Sequence, residues 1–427
     1  MSVNYKIPAV ITVKNFTKSF KVMLKPNKKQ QTRLFQFAGC ARFAYNWALN
    51  KEITAFKAGE KFISHYDLRK EFAELRNSAE YTWLKTISSR VPYQAIKDCA
   101  DAFIRFFKKQ NRFPKFKSKK RGDFKFYQAT DRIKITSTHV KLEKISASRR
   151  KNRQKLNWIK LAEVGRIPVG AKYFNPRISF DGLNWWLSVA IEFETEKVET
   201  TDEILGIDLG IKNMAVCSDG EIYPNINRTR TIKLLEKRKR RLQRSISRKY
   251  LINNEGGSYR KTRNIIRSEK LLLKIHHRLA NIRQNYRHQI TSEIIGRKPR
   301  LIVMEDLNVA GMMKNRHLSK AIQEQGFYEF RRQIEYKAEW AGIEIIIADR
   351  FYPSSKTCIK CGKIKKDLRL SERVYRCECG NVIDRDLQAA MNLAKYPYVS
   401  GKFKPVERQA NASNFDESGR AEAGTKH

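Results

Sequence analysis

Four cysteines, Cys358, Cys361, Cys377 and Cys379, follow the spacing C-x2-C-x15-C-x-C. Two thiolate pairs so separated can close a tetrahedral shell around one Zn2+. Each pair runs into a glycine, Cys361-Gly362 and Cys379-Gly380, so each turn can aim backbone N–H groups at sulfur. The second pair, with one intervening residue, makes the tighter knuckle. Beyond it stand Asp384 and Asp386, at the start of the helix-patterned segment DRDLQAAMNLAKY. Two more carboxylates lie far upstream. Asp208 sits mid-strand in the apolar run ILGIDLG, and Glu305 closes the apolar run Leu301 to Met304. A carboxylate on such a strand is costly to bury unless it is paired or holds a cation. Hard oxygen donors suit Mg2+. Two such ions about 4 Å apart can activate water and stabilise the leaving oxygen of a phosphodiester.

The elements that must position these groups read in order. KSFKVML, residues 18 to 24, alternates like a strand and ends at Pro26. Helical spacing of Leu34, Phe37, Ala41, Ala48 and Leu49 follows, and it recurs near 66–76 and 88–108. Between Phe106 and Phe126 aromatic rings interleave with Lys and Arg, a pattern that can meet phosphates and stack on unpaired bases. Strands are expected from 132 to 193, the clearest a hairpin turned at Asp181-Gly182. The acidic run 192–203 marks a boundary, and the strand carrying Asp208 comes next. Residues 228 to 250 hold eleven Lys and Arg against one acid, Glu236, and a second basic helix is expected near 268–295. A strand ends at Glu305, where open α/β sheets place their ligands. One helix is expected over 319–341, then the strand IEIIIAD and the cysteine module. Residues 401–427 read as a disordered tail.

Lys and Arg number 88 against 43 Asp and Glu, a formal charge of +45. Such a chain calls for a polyanion, and nucleic-acid phosphate is the chemistry that fits. No apolar run approaches the roughly 20 residues of a membrane span, and no signal-peptide pattern opens the chain. The three remaining cysteines, Cys40, Cys99 and Cys217, stand apart in apolar contexts, as reduced buried thiols of a cytoplasmic protein would. The order of carboxylates, with a hairpin first and crossover helices later, suits a ribonuclease-H-like mixed sheet.

The chain also resembles the TnpB family of transposon-encoded RNA-guided DNA endonucleases, relatives of the compact type V CRISPR effectors. The resemblance is carried by SRVPYQAIKDCADAF, FPKFKSKK, LGIDLGIKNMAVCSDG, VMEDLNVAGMMKNRHLSKAI, YPSSKTCIKCG and CECGNVIDRDLQAAMNL, in family order over about 20 to 395. It implies a multidomain α+β chain. A β-barrel (wedge) domain would occupy 1–26 and 126–200, interrupted by a helical recognition domain over 27–125. A RuvC-like nuclease domain would follow over 201–350 and 383–400, with a zinc ribbon inserted at 351–382. It implies a guide RNA, target double-stranded DNA with a short flanking motif, and Mg2+-dependent cleavage on Asp208, Glu305 and Asp386. No membrane and no small-molecule substrate are expected, a monomer is favoured, and nucleoid association would follow DNA binding. Asp384 is open as a supporting or substitute ligand, and Gln388 stands where the family has Asn. The rival functions are a guide-dependent DNA-binding repressor without cleavage and a DNA strand-transfer transposase.

Overall fold

The computed structural model describes residues 14–122, 124–145, 157–195, 198–259, 261–369 and 372–401, so the tail beyond 401 lies outside the described residues. The chain forms two compact units, Met1–Lys197 with Arg230–Gln284, and Val198–Thr229 with Asn285–His427.

The first unit opens with β1 (Lys14–Lys25), α1 (Lys28–Lys57), α2 (His65–Asn77) and α3 (Arg90–Phe107). Asn27 starts α1 through a capping box. Its side chain accepts from the Gln30 N–H, and the Gln30 side chain accepts from the Asn27 N–H. Strands β2 (Lys125–Tyr127), β3 (Lys134–Ile135), β4 (His139–Lys141), β5 (Trp158–Leu161), β6 (Tyr173–Phe180) and β7 (Trp185–Thr195) complete an antiparallel sheet ordered β2-β6-β7-β1-β5-β4-β3. Its spine is the register of β1 on β7, with Val22 opposite Leu187 and Leu24 opposite Trp185, all four buried against α1 and α3. Asp98 of α3 accepts both arms of the Arg177 fork on β6, at 2.5 and 2.9 Å. The expected barrel is not closed among the described residues. The edge strands β2 and β3, three and two residues long, offer each other too little ladder to pair.

The second unit begins with β8 (Ile204–Leu209), β9 (Asn213–Cys217) and β10 (Ile222–Pro224). The chain then enters the first unit with α4 (Arg230–Ile252), the small hairpin β11 (Asn254–Glu255) and β12 (Ser258–Tyr259), and the greater part of α5 (Arg263–Gly296). It continues through β13 (Leu301–Glu305), α6 (Val309–Met312), α7 (Ser319–Gln325), α8 (Phe327–Ala341), β14 (Glu344–Ala348), β15 (Val374–Arg376), β16 (Val382–Asp384) and α9 (Arg385–Val399). The single helix expected over 319–341 is two. Gly326, at φ +68°, ends α7 in the left-handed conformation and starts α8.

The second unit's main sheet has the order β10-β9-β8-β13-β14. β8, β13 and β14 run parallel, while β9 and β10 are antiparallel additions. One face buries Leu205, Ile207, Ile302 and Met304 with Ile290, Ile294, Phe330 and Ile334 from α5 and α8. The other buries Leu301, Val303 and Ile346 with Leu393 and Tyr396 of α9. Both faces being covered explains why these strands read as continuous apolar runs.

Candidate functional site

In this sheet the strand order reverses between β8 and β13, and their carboxyl ends are where such folds seat ligands. Asp208 is the penultimate residue of β8, opposite Val216 of β9, rather than at the strand's middle. Glu305 is the last residue of β13. Asp386 lies in the first turn of α9. That turn is fixed by Asp384, whose Oδ1 accepts from the N–H groups of Asp386 at 2.9 Å and Leu387 at 3.2 Å. Asp384 is exposed and occupied as the helix cap, whereas the Asp386 side chain keeps only 13 % of its surface.

Asp208 feels the other two acids. Asp208 is pushed well above the usual carboxylate range, by burial first and then by the charges of Glu305 and Asp386, with Arg385 offsetting part. Glu305 is raised as well. Burial is the cause, against the pull of the Ser354 hydroxyl, which donates to Oε1 at 2.6 Å. Beside Glu305 a cleft of about 270 Å³ opens, lined by Leu209, Asp306, Asn308, Tyr328 and Arg331 among others. Asp306 is clamped from two sides, by Arg331 at 3.2 Å and by Arg350. The two guanidiniums, Arg350 first, hold the Asp306 carboxyl below the usual carboxylate range.

Among the described residues one group of three or more potential ligands has its ligand atoms all within 4.8 Å, and it is the four cysteines. Cys358 Sγ lies 3.5 Å from Cys379 Sγ, and Cys361 Sγ 3.6 Å from Cys377 Sγ. A tetrahedron with Zn–S bonds of about 2.3 Å has edges of about 3.8 Å, so the cluster fits a structural zinc. Gly362 and Gly380 adopt φ of +74° and +82°, as the two knuckle turns require. Burial works against the Cys358 thiolate, but the N–H groups of Cys361 and Lys360 together with the thiols of Cys379 and Cys361 outweigh it and bring its pKa to about 6. Asn381, buried beneath the second knuckle, donates to Cys358 Sγ at 3.5 Å and to Gln388 Oε1 of α9 at 2.9 Å.

Several contributors escape sequence reasoning. Ser354, Asn381 and Asn392 are buried polar residues, as is Gln388, which the sequence marks only as a departure from the family's Asn. The one advance sign among the first three is that Asn392 falls four residues after Gln388 on an otherwise apolar stripe of α9. The basic helices also hold a surprise. Glu236, the single acid of its run, is buried and held by Lys239 at 2.7 Å and Arg283 at 3.2 Å. Lys237, Arg238, Arg240, Arg241 and Arg244 remain exposed. In the 106–126 segment Phe113 and Phe116 are exposed at 37 % and 45 %.

Together these features define a class: a multidomain α+β protein with a mixed five-stranded sheet, carboxylates at the carboxyl ends of β8 and β13 and in the first turn of α9, and a four-cysteine module tied to that helix. Three family models match the chain in order. They are the helix-turn-helix domain of the IS605 OrfB group over residues 16–61, the OrfB_IS605 "Probable transposase" over 188–316, and "Cas12f1-like, TNB domain" over 327–393. Over most of its length the chain is similar to proteins of the IS605 OrfB (TnpB-like) group. It is 28 % identical over 392 residues to the "Putative RNA-guided DNA endonuclease InsQ" of Escherichia coli K12, covering 88 % of this chain and 91 % of that one. A Streptomyces pristinaespiralis protein described in the same terms is 28 % identical over 377 residues, 88 % of each. The CRISPR-associated endodeoxyribonuclease Cas12f1 of Sulfoacidibacillus thermotolerans is 29 % identical over 220 residues, about half of each chain. The fold resembles that of the protein in a Cas12f1–sgRNA–target DNA complex, with a TM-score of 0.56 at 14 % identity, covering 89 % of this chain and 99 % of that one. No helix among the described residues is long and apolar enough to cross a membrane.

Proposed function

We propose that this protein is an RNA-guided DNA endonuclease that hydrolyses phosphodiester bonds at Asp208, Glu305 and Asp386. The observation that carries the reading is the placement of Asp208 and Glu305 at the carboxyl ends of the neighbouring parallel strands β8 and β13, with Asp386 in the first turn of α9, in a chain of charge +45. Half-buried carboxylates at a sheet's switch point, one of them raised by the charges of the other two, are a donor set for hard divalent cations. Asp208, Glu305 and Asp386 would hold two Mg2+ ions. When bound, Mg2+ supplies the charge that activates water and stabilises the leaving oxygen of the cut strand. The side chains do the rest. Asp384 fixes the first turn of α9 and so the height of Asp386. The cleft past Glu305 gives the substrate strand an approach walled by Leu209 and Tyr328.

The five-strand order and directions support a ribonuclease-H-like, RuvC-type domain over 201–350 and 383–400, with the zinc ribbon of 351–382 as its insertion. The seven-stranded sheet supports a wedge domain over 1–26 and 126–200, and α1 to α3 a recognition domain over 27–125. Guide RNA and target duplex would meet the exposed cations of α4 and α5, in a cytoplasmic monomer. The names of the relatives in Escherichia coli and Streptomyces agree with this activity. All three acids being present favours cutting over silent binding.

The test is purification with the co-purifying RNA, sequencing of that RNA, and incubation of the complex with a matched plasmid in Mg2+. Cleavage is expected, with Asp208→Ala abolishing it while guide-directed binding persists. Intact plasmid in both Mg2+ and Mn2+, or wild-type cutting by Asp208→Ala, overturns the proposal.

A further inference from the structure

Ser354 lies between β14 and the first cysteine pair and is 3 % exposed. Its hydroxyl donates to Glu305 Oε1 at 2.6 Å. Its own backbone is held from the other side. Asn392 of α9, equally buried, donates through Nδ2 to the carbonyl oxygens of Ser354 and Thr357, both at 2.7 Å. The next residue is Cys358, whose sulfur is tied through Asn381 to Gln388, one turn before Asn392 on the same helix. So α9, which carries Asp386 in its first turn, grips the segment 354–358 at two successive turns. That segment in turn reaches Glu305.

We propose that Ser354 is a positioning residue for Glu305, and that the cysteine module serves the carboxylate site by holding Ser354 in place. A glutamate at a strand end has several rotamers open to it, and ordering such a side chain has an entropic cost. A donor fixed on Oε1 removes that freedom before any cation arrives, and directs the second oxygen to the ion. Hydrogen-bond partners of metal ligands commonly act in this way. The proposal rests on the reading of Glu305 as a cation ligand.

The test compares wild type, Ser354→Ala and Glu305→Ala, together with the isosteric pair Ser354→Thr and Ser354→Val, of which only threonine can donate. Each is studied as the complex with its RNA. Mn2+ binding is followed by electron paramagnetic resonance, with Glu305→Ala setting the background from RNA, and cleavage is measured across a Mg2+ titration. Ser354→Ala and Ser354→Val should need about 10–100-fold more Mn2+ for half-saturation and a matching excess of Mg2+ for half-maximal cleavage. The cleavage rate at saturating Mg2+ should stay close to wild type, as should target binding. Ser354→Thr should restore both titrations. Because threonine and valine share a shape, any loss from poor packing affects both, and their difference decides the matter. If Ser354→Val binds Mn2+ as Ser354→Thr does while Glu305→Ala loses it, Ser354 has no positioning role and the cation reading stands. If Glu305→Ala binds Mn2+ and cuts as wild type does, the cation reading itself fails.

Discussion

A Cβ on Gly206 of β8 would stand 2.0 Å from the carbonyl oxygen of Ala390 on α9, and 2.6 Å from the amide nitrogen of Ala394. Strand and helix are therefore in backbone contact, and only glycine permits it. Asp208 lies two residues along the strand, and Asp386 one turn back along the helix. The contact at Gly206 thus sets how far apart two of the three acids stand.

Gly206→Ala should push α9 off the sheet. The cost of such overpacking is about 1–3 kcal/mol and more where backbone is the obstacle. A fall of several degrees in Tm is expected, with cleavage reduced far more than guide-RNA binding. Thermal denaturation beside a cleavage assay checks this, and an unchanged Tm would contradict the close contact.

Glu52 offers a pH prediction away from the metal sites. It is 3 % exposed in α1, and the N–H of Ile63, at 3.4 Å, is the hydrogen-bond donor to its carboxylate. Burial raises its pKa from 4.5 to about 7. Below pH 4.5 it is protonated folded or unfolded, and its contribution to stability is intact. As pH climbs toward 7 the unfolded chain ionises first, and stability drains at about 1.4 kcal/mol per pH unit. Glu52→Gln should therefore raise Tm at pH 8 and bring no gain at pH 4.5. A gain of equal size at both pH values would rule out ionisation as the cause.

The cysteine module should carry one zinc per chain, measurable by elemental analysis. Cys377→Ser should lose it and open the 354–380 segment to protease. Since Asn381 and Asn392 tie that segment to α9, cleavage should fall together with zinc content. Folded, active protein free of zinc would dismiss the structural-metal reading.

What the sequence reveals and what it hides follow physical lines. The strands of Asp208 and Glu305 are legible because both faces of their sheet are covered, which leaves an apolar run with a lone carboxylate near its end. The cysteine knuckles are legible because ligand spacing is a local property. The break at Gly326 is hidden, since α7 and α8 keep one apolar periodicity through a left-handed residue. The open edges of the first sheet are hidden because alternation marks a strand but not its partner. Ser354 and Asn392 are hidden for a different reason: they are 38 residues apart, and only the fold brings the amide of one to the carbonyl of the other.

The basic helices yield the last prediction, in which burial decides the choice of probe. Lys239 points its charge at Glu236, where Arg283 meets it too, and all three side chains are at most 17 % exposed. Removing Lys239 would thin the compensation of a buried acid, so Lys239→Gln should lower stability, with only a minor direct effect on nucleic acid. Arg238 and Arg241 are exposed on the same helix. Replacing both with glutamine should leave the unfolding free energy within about 1 kcal/mol of wild type, about 0.5 kcal/mol for each surface change. If they meet phosphates, RNA affinity should fall, and the slope of log affinity against log salt should shrink by about 0.7–0.9 for each phosphate no longer neutralised. Affinity measured at several salt concentrations for both variants separates the two kinds of cation. A double variant that keeps the full salt slope would show that this face of α4 meets no phosphate.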